Sequence, residues 1–139
     1  MNHATVSHHL ALNLLSADGH DLLLVAELRY SAQDPLAVEA LFDDGSPDPV
    51  RWVFARDLLA AGLHRRTGGG DVVVWPTQDA EARPAVHLRL RSPHGDALLE
   101  APADALEEFL AATARVVAPG TEYDHLDVDG ALESLLGES

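Results

Sequence analysis

The chain of 139 residues contains no cysteine and no lysine. Without cysteine there is no disulfide framework, no thiolate nucleophile and no zinc site of the cysteine type. Long apolar runs are also missing. The longest, from Leu22 to Ala26, is far shorter than a bilayer span, and the first residues lack the basic segment of a secretion signal. We therefore expect a cytoplasmic protein without a membrane-spanning segment.

Positive charge is scarce as well. The 9 basic residues, all of them arginine, stand against 23 acidic ones and leave a formal net charge of -14. A field of that sign repels phosphate backbones and anionic lipid surfaces. Nucleic acid is therefore not expected as a partner, and any membrane association would be indirect.

Apolar and polar residues alternate along most of the chain, which is the period of half-buried strands. Turn sequences such as Asp18-Gly19 and a break at Asp34-Pro35 separate the alternating segments. The pattern predicts strands at residues 6–14, 22–30, 38–42, 50–55, 71–75, 84–92 and 96–100, the fifth of them closed by Pro76.

Three segments have a helical period instead. A short helix is predicted at 56–61, directly after the fourth strand and ended by Gly62. A longer helix begins with Pro102 in its first turn and ends at Pro119-Gly120, and a short last helix carries Leu132, Leu135 and Leu136. This order predicts a single antiparallel α+β domain over residues 1–139, a β-rich body with one short helix in the middle and helices at its C-terminus.

No metal site or catalytic group is predicted. His8 and His9, two of the 8 histidines, are neighbours on a strand and point to opposite faces, so they cannot chelate one ion together. Asp127 and Asp129 resemble the start of a calcium loop, but Gly130 comes too early for one, and Asp129 is better interpreted as a helix cap. We expect no catalytic residue, no cofactor and no bound metal.

The glycines at 68–70 follow Arg65, Arg66 and Thr67. Such a loop could form a nest of backbone N–H groups that binds an anion. A phosphate loop needs a lysine and a following helix, however, whereas a strand follows here. A flexible hairpin is therefore the favoured interpretation.

Basic side chains are concentrated in two places despite the acidic background. His87, Arg89 and Arg91 form a stripe on one face of the sixth predicted strand. A second group surrounds the short helix. Either group could dock an acidic partner or a phosphate backbone, and local ion pairs with the many Asp and Glu residues are an equally good interpretation. The second group consists of Arg51, Arg56, Arg65 and Arg66.

Trp52 and Trp75 flank this helix and the loop after it, and tryptophan near arginine is frequent in interface hot spots. Both alternate with apolar residues, which favours core packing. The turn at Gly120, on an expected acidic surface beside Glu122 and Tyr123, is a further candidate because exposed turns often carry contacts. The candidate partner contacts are Trp52, Arg56, Arg65, Arg66, His87, Arg89, Arg91 and Gly120.

The segment RWVFARDLLAAGLHRRTGGGDVVVWP, from Arg51 to Pro76, closely resembles the signature region of the SsgA-like proteins, a family of actinobacterial sporulation and cell-division proteins. The resemblance continues through Leu28 to Phe42, Ser92 to Leu110 and Pro119 to Glu122, so it covers most of the chain.

This resemblance implies a non-enzymatic protein that controls where septa form. It would recruit the tubulin-like protein FtsZ to future septum sites and promote Z-ring assembly, with a paralogue of the SsgA type as a second partner. The resemblance also implies a homotrimer located at the division septum. The implied fold is similar to that of the whirly-type single-stranded nucleic-acid binders.

Two other functions stay open. One is single-stranded nucleic-acid binding through the face that carries His87, Arg89 and Arg91, which the negative charge and the small number of aromatic residues disfavour. The other is a small metal-dependent enzyme that uses the histidines. A shared fold cannot decide between such functions.

Overall fold

Alternation along the chain produces one antiparallel sheet. A computed structural model describes residues 4–43, 45, 47–93 and 95–126. Within them seven strands form a single sheet in the order β4-β3-β2-β1-β7-β6-β5, and all neighbours are antiparallel. The strands are β1 (Thr5–Leu15), β2 (Leu22–Ser31), β3 (Asp34–Asp43), β4 (Val50–Ala55), β5 (Val72–Gln78), β6 (Pro84–Ser92) and β7 (Gly95–Pro102).

The helices are α1 (Arg56–Gly62), directly after β4, and α2 (Ala103–Val116), directly after β7. A 3-10 turn, Glu122–His125, follows α2. The predicted α+β class, the order of elements along the chain and both helices are confirmed. The predicted last helix, with Leu132, Leu135 and Leu136, lies outside the described residues.

One face of the sheet, the inner face, carries the apolar side chains that alternate along each strand. Helix α2 packs on this face against β1, β6 and β7. The apolar side chains along one side of α2 are buried, with Phe109 and Thr113 fully enclosed. Together these side chains form one core, which includes Leu10, Leu12, Leu28, Phe42, Phe54, Val86, Leu88, Leu99, Leu106 and Phe109.

Helix α1 brings the two edges of the sheet together. It contacts β3 and β4 at one end of the strand order and β5 at the other, so the sheet curls around the core. Gly62 ends this helix as predicted, but without the positive φ of a left-handed cap. A Cβ atom at this position would overlap the buried side chain of Val74. Glycine is therefore required by close packing of α1 on β5.

Two prolines predicted to interrupt strands lie within them. β3 begins at Asp34, which pairs with Ser31 on β2, and the hydroxyl of Tyr30 donates to the carbonyl of Pro35 at 2.8 Å. The expected break at Asp34-Pro35 is therefore wrong. Pro76 likewise does not close β5, which continues to Gln78. β5 is an edge strand, where the missing N–H of proline can face away from the sheet.

At the start of α1, the guanidinium of Arg56 is buried against the C-terminal end of α2. Its Nη1 donates to the carbonyls of Thr113 and Val117, at 3.3 and 2.7 Å. A cation is favourable there because the carbonyls at a helix C-terminus carry partial negative charge. Its Nη2 donates to Oε1 of Glu122 at 2.7 Å. Arg56 is 4% exposed and Glu122 6%, so this pair joins α1, α2 and the 3-10 turn inside the protein.

Two further groups surround the pair. Cζ of Arg56 lies 4.9 Å from the ring centre of Tyr30, and the backbone N–H of Gly120 donates to Oε2 of Glu122 at 2.9 Å. The hydrogen bonds to the carboxylate, above all the one from Arg56, hold the pKa of Glu122 below its ordinary value of 4.5. The carboxylate is therefore ionised at neutral pH.

Replacing Arg56 by methionine keeps the length of the side chain but leaves the Glu122 carboxylate buried without its partner. Breaking a buried ion pair in this way costs about 3–5 kcal/mol. We therefore expect Arg56→Met to unfold at a much lower urea concentration than the wild type. The control is Arg51→Met, which removes an exposed pair with Glu39 and should cost less than about 1 kcal/mol. Equal losses in the two variants would contradict a special role for Arg56.

The lowered pKa of Glu122 makes its contribution to stability depend on pH. Because the pKa is lower in the folded than in the unfolded chain, this contribution is fully present above 4.5 and is lost as the pH falls through the folded value. We expect the difference in free energy of unfolding between wild type and Glu122→Gln to shrink as the pH falls below 4.5 and through the folded pKa of Glu122. Urea denaturation of both proteins over a pH series measures it, and a constant difference would refute the assignment.

Candidate functional site

The predicted basic stripe lies on the outer face of the sheet, away from the core. On β6 the side chains of His87, Arg89 and Arg91 alternate with the buried apolar residues at 86, 88 and 90. The strand therefore presents all three on one face, as the alternation predicts.

Two of the three stripe residues have carboxylate partners. Nε2 of His87 lies 2.9 Å from Oε2 of Glu100, its register partner on β7. Nε of Arg91 lies 3.7 Å from Oδ2 of Asp96, which is also its register partner. For Arg91 the interpretation as a local charge pair therefore holds, and His87 is hydrogen-bonded to a carboxylate of the chain itself.

Arg89, between them, is different. It has no ion pair among the described residues, and its Nε is buried there without a hydrogen-bond partner. In register it lies opposite Val73 on β5 and Leu98 on β7. Arg89 is thus a half-buried cation positioned by its apolar neighbours and not by a carboxylate.

Trp75 lies beside the stripe, opposite His87 in the register of β5 and β6. The two rings meet edge to face, with centroids 5.6 Å apart and planes at 74°. Cζ of Arg66 lies 4.7 Å from the centre of the Trp75 ring, within the range of a cation–π interaction. Trp75 is therefore half-buried on the outer face and does not take the core position that its strand pattern favours.

A groove of about 400 Å³ runs beside the Trp75 ring. Trp75 and Arg89 supply its aromatic and cationic sides, and Leu15 and Leu98 supply apolar surface. The side chain of Asp96 is at the same groove, in its ion pair with Arg91. The lining residues are Leu15, Ser16, Ala17, Trp75, Arg89, Asp96, Ala97 and Leu98, and we call this site, with Arg66 on the ring, the Trp75 groove.

The loop that carries Arg65 and Arg66 is a hairpin, as predicted, and its base is fixed. Thr67 and Val74 exchange two backbone hydrogen bonds, with N–O distances of 2.8 and 2.9 Å. Gly68 has a φ of +97° directly after this bridge. Arg65 and Arg66 are both exposed on the loop, and the guanidinium of Arg66 lies over the Trp75 ring.

The remaining candidates lie elsewhere. Trp52 is on the inner face, where it stacks on Phe54 at 6.3 Å and packs against the core, the role that its pattern favours. Arg56, expected at a partner contact, is buried within the fold in its pair with Glu122. Its expected surface role is therefore replaced by a structural one. The expected acidic surface around Gly120 also lacks Glu122, because that carboxylate points inward to Arg56.

Gly120 is an exposed residue in the turn after α2. Its φ is +91°, in the left-handed region that glycine favours. Its N–H lies 2.9 and 3.2 Å from the two carboxylate oxygens of Glu122. The conformation of this turn therefore helps to place the buried carboxylate.

Across β2, β3 and β4, the outer face carries charges that are paired with one another. Arg29 lies 2.9 Å from Glu27 and 3.6 Å from Glu39, and Arg51 lies 2.7 Å from Glu39. Hydrogen bonds from Arg29 and Ser7 hold the pKa of Glu27 below its ordinary value. These arginines support the interpretation as local charge pairs.

β2 carries an exposed apolar strip that was not predicted from the sequence. Leu23 is 67% exposed and Val25 50% exposed, both on the outer face. A signal was present in the sequence, because the run from Leu22 to Ala26 has apolar residues at its outward as well as its inward positions. On a strand with one solvated face these outward positions are normally polar.

Metal binding has no candidate in the part of the chain that the structure describes. No three His, Asp or Glu side chains there are close enough to hold an ion. His8 packs on Phe109, with ring centroids 5.5 Å apart, while His9 is exposed on the opposite face, as predicted. The calcium-like sequence at Asp127 and Asp129 lies outside the described residues. None of the described helices has the length and apolar character needed to cross a membrane.

Comparison with known proteins finds a family model and several proteins that match this chain. The sequence model of a family described as Streptomyces sporulation and cell division protein, SsgA, matches residues 24–122. The sporulation-specific cell division protein SsgB of Streptomyces coelicolor is 52% identical over 97% of this chain and 98% of its own length. SsgB of Thermobifida fusca is 41% identical over 92% of each chain.

Two solved structures have the same fold. One is of SsgB from Streptomyces coelicolor, described with mutations that correlate to longitudinal cell division during sporulation. It has a TM-score of 0.85 and 52% identity, and the match covers 88% of this chain and 96% of the other. The second, an SsgA-like sporulation-specific cell division protein from Thermobifida fusca, has a TM-score of 0.85 at 39% identity, over 95% and 96%.

Replacing Gly120 by alanine should destabilise the protein by about 1–2 kcal/mol, because an L-residue is strained at a positive φ. The matched control is Gly69→Ala, since Gly69 has no positive φ and a Cβ there meets no atom within 4 Å. Urea denaturation compares the two variants. Equal stability of both would mean that the conformation at Gly120 is not a constraint on the fold.

Proposed function

Because this chain belongs to the SsgA family of sporulation and cell division proteins, we propose that it recruits FtsZ to future septum sites and promotes Z-ring assembly there. The observation that carries the proposal is the 52% identity to SsgB over 97% of the chain. Such a likeness is not confined to one motif. The role in cell division follows from the family, whereas FtsZ as the partner rests on the resemblance of the signature segment from Arg51 to Pro76.

The protein would act by binding and not by catalysis. Its described residues bring together paired surface charges and a groove with a cationic and an aromatic side, which are means of recognition. A binding protein promotes assembly by raising the local concentration of its partner. Its location would be the cytoplasm at the division septum, with membrane association only through other proteins.

We further propose a homo-oligomer, a trimer by family resemblance, with a paralogue of the SsgA type as a second partner. The exposed strip of Leu23 and Val25 supports a contact between copies, because neighbouring exposed apolar side chains are typical of interfaces. Several copies would present the same surface several times and gain avidity for a polymerising partner.

The alternative function, single-stranded nucleic-acid binding, has less support. It needs a positive groove and free aromatic faces together. Here His87 and Arg91 face carboxylates, and the ring of Trp75 is in contact with Arg66 and His87.

The proposal predicts that deletion of the gene in the source organism prevents FtsZ from accumulating at sporulation septa. A fluorescent FtsZ fusion, imaged in the deletion strain and in the same strain with the gene restored, measures this. The purified protein should also co-sediment with FtsZ from that organism. Normal septal FtsZ in the deletion strain, together with no co-sedimentation, would reject FtsZ recruitment.

A further inference from the structure

We propose that the Trp75 groove is the docking site for an extended acidic segment of a partner protein. The proposal rests on the proposed binding function and adds to it the surface and the chemistry of the partner. Carboxylates of the segment pair with Arg89 and Arg66, and an apolar side chain of the segment lies on Leu15 and Leu98.

Some arginines pair with a carboxylate among the described residues and others do not. Five arginines form ion pairs with carboxylates of the chain itself. The other four, Arg65, Arg66, Arg89 and Arg115, have no carboxylate partner among the described residues. Of these, Arg89 lines the groove and Arg66 lies on the neighbouring Trp75 ring. In a chain with 23 acidic residues, an unpaired cation in the groove and a second one on the adjacent ring mark a place where a carboxylate from another molecule can bind. The five paired arginines are Arg29, Arg51, Arg56, Arg83 and Arg91.

Neighbouring side chains position both guanidinium groups. Arg89 has a buried Nε and lies between Val73 and Leu98 in the strand register, so its side chain has little freedom left to lose. Arg66 lies on the Trp75 ring, 4.7 Å from its centre. A guanidinium held in place binds a carboxylate with a smaller loss of conformational entropy, and its forked donors match both oxygens.

The shape of the groove limits the kind of partner that can bind there. A groove of about 400 Å³ accommodates the side chains of a short peptide, not a folded domain. A partner strand cannot pair with the β5 edge at Val74, because the N–H and carbonyl of Val74 are already bonded to Thr67. Two residues further along β5, Pro76 has no N–H to donate. Recognition must therefore use side chains, and the cationic and apolar walls require acidic and apolar partners.

The net charge of -14 does not prevent this contact. At physiological ionic strength the Debye length is about 8 Å, so distant carboxylates are largely screened. Asp96, in the groove lining, is paired with Arg91, whereas Asp18 and Asp21 near the groove accept hydrogen bonds from Ser16 and have no cationic partner among the described residues. An acidic segment must therefore contact Arg66 and Arg89 directly to be bound, and added salt weakens this interaction.

The test uses a short fluorescent peptide of alternating Glu and Leu, and the same peptide with Gln at each Glu, measured by fluorescence anisotropy with the full chain. Arg89→Gln and Arg66→Gln should each lower the affinity for the Glu peptide about tenfold, and the wild type should bind the Gln peptide, which loses both contacts, about a hundredfold more weakly. The control Arg83→Gln makes the same charge change at an exposed arginine paired with Asp79 and Glu81, and should leave affinity unchanged. Circular dichroism confirms folding of every variant.

The same variants are then tested for co-sedimentation with FtsZ. Loss of binding in Arg66→Gln and Arg89→Gln, but not in Arg83→Gln, supports the groove as the FtsZ site. If FtsZ binds all variants equally and the peptide does not distinguish them, the groove proposal is overturned while FtsZ recruitment stands. If FtsZ does not bind but the Glu peptide binds in an Arg89-dependent way, the groove proposal holds and the proposed function fails.

Other occupants give different results. Arg89-dependent binding of a single-stranded oligonucleotide, without binding of the Glu peptide, overturns the proposal in favour of a phosphate backbone. A change of oligomeric state in Arg89→Gln, measured by sedimentation velocity, means that a second copy occupies the groove and also overturns it. Peptide binding that occurs only after the acidic residues in 127–139 are replaced by amides identifies the chain's own end as the occupant and likewise overturns the proposal.

Discussion

The curled sheet depends on one buried contact, the ion pair between Arg56 and Glu122. The two edges of the sheet meet on α1, and Arg56 is the first residue of that helix. Its guanidinium binds both the last turn of α2 and the carboxylate of Glu122. It therefore connects α1, where the sheet edges meet, to α2, which packs on the inner face. Neither charge is stable in the interior alone, so each requires the other elements to be in place. The buried pair therefore couples closure of the sheet energetically to docking of α2.

Sequence periodicity was sufficient for most of the fold and for part of the site. Alternation predicts the strands because each has one buried face, and it correctly puts His87, Arg89 and Arg91 on a common side. It cannot predict that Arg56 is buried, since the partner, Glu122, is 66 positions away and only the folded chain brings the two together. The different roles of the two tryptophans also depend on the folded chain. Trp52 and Trp75 have similar neighbours in sequence, but α2 and the core cover only the inner face, so only Trp52 joins the core.

Charged side chains are distributed unevenly over the outer face of the sheet. On β2, β3 and β4, arginine and glutamate alternate across neighbouring strands, so that Arg29 and Arg51 are both bound to Glu39. On β5, β6 and β7, one row pairs His87 with Glu100, and the next places Arg89 between apolar residues. Cross-strand neighbours decide which cation is neutralised. A strongly acidic chain can therefore keep a small site at which positive charge is unopposed.

Such a division has a consequence for a protein that must find one partner in a crowded compartment. Within the short range that salt leaves unscreened, the acidic surface repels acidic molecules of every kind. Short-range pairing at Arg66 and Arg89 then acts only on a segment that can reach the groove and also has an apolar side chain for Leu15 and Leu98. Specificity arises because the unwanted acidic partners experience the repulsion without the compensating contacts. Positive charge is scarce on this protein, and its presence at the groove thus favours a partner that can reach Arg66 and Arg89.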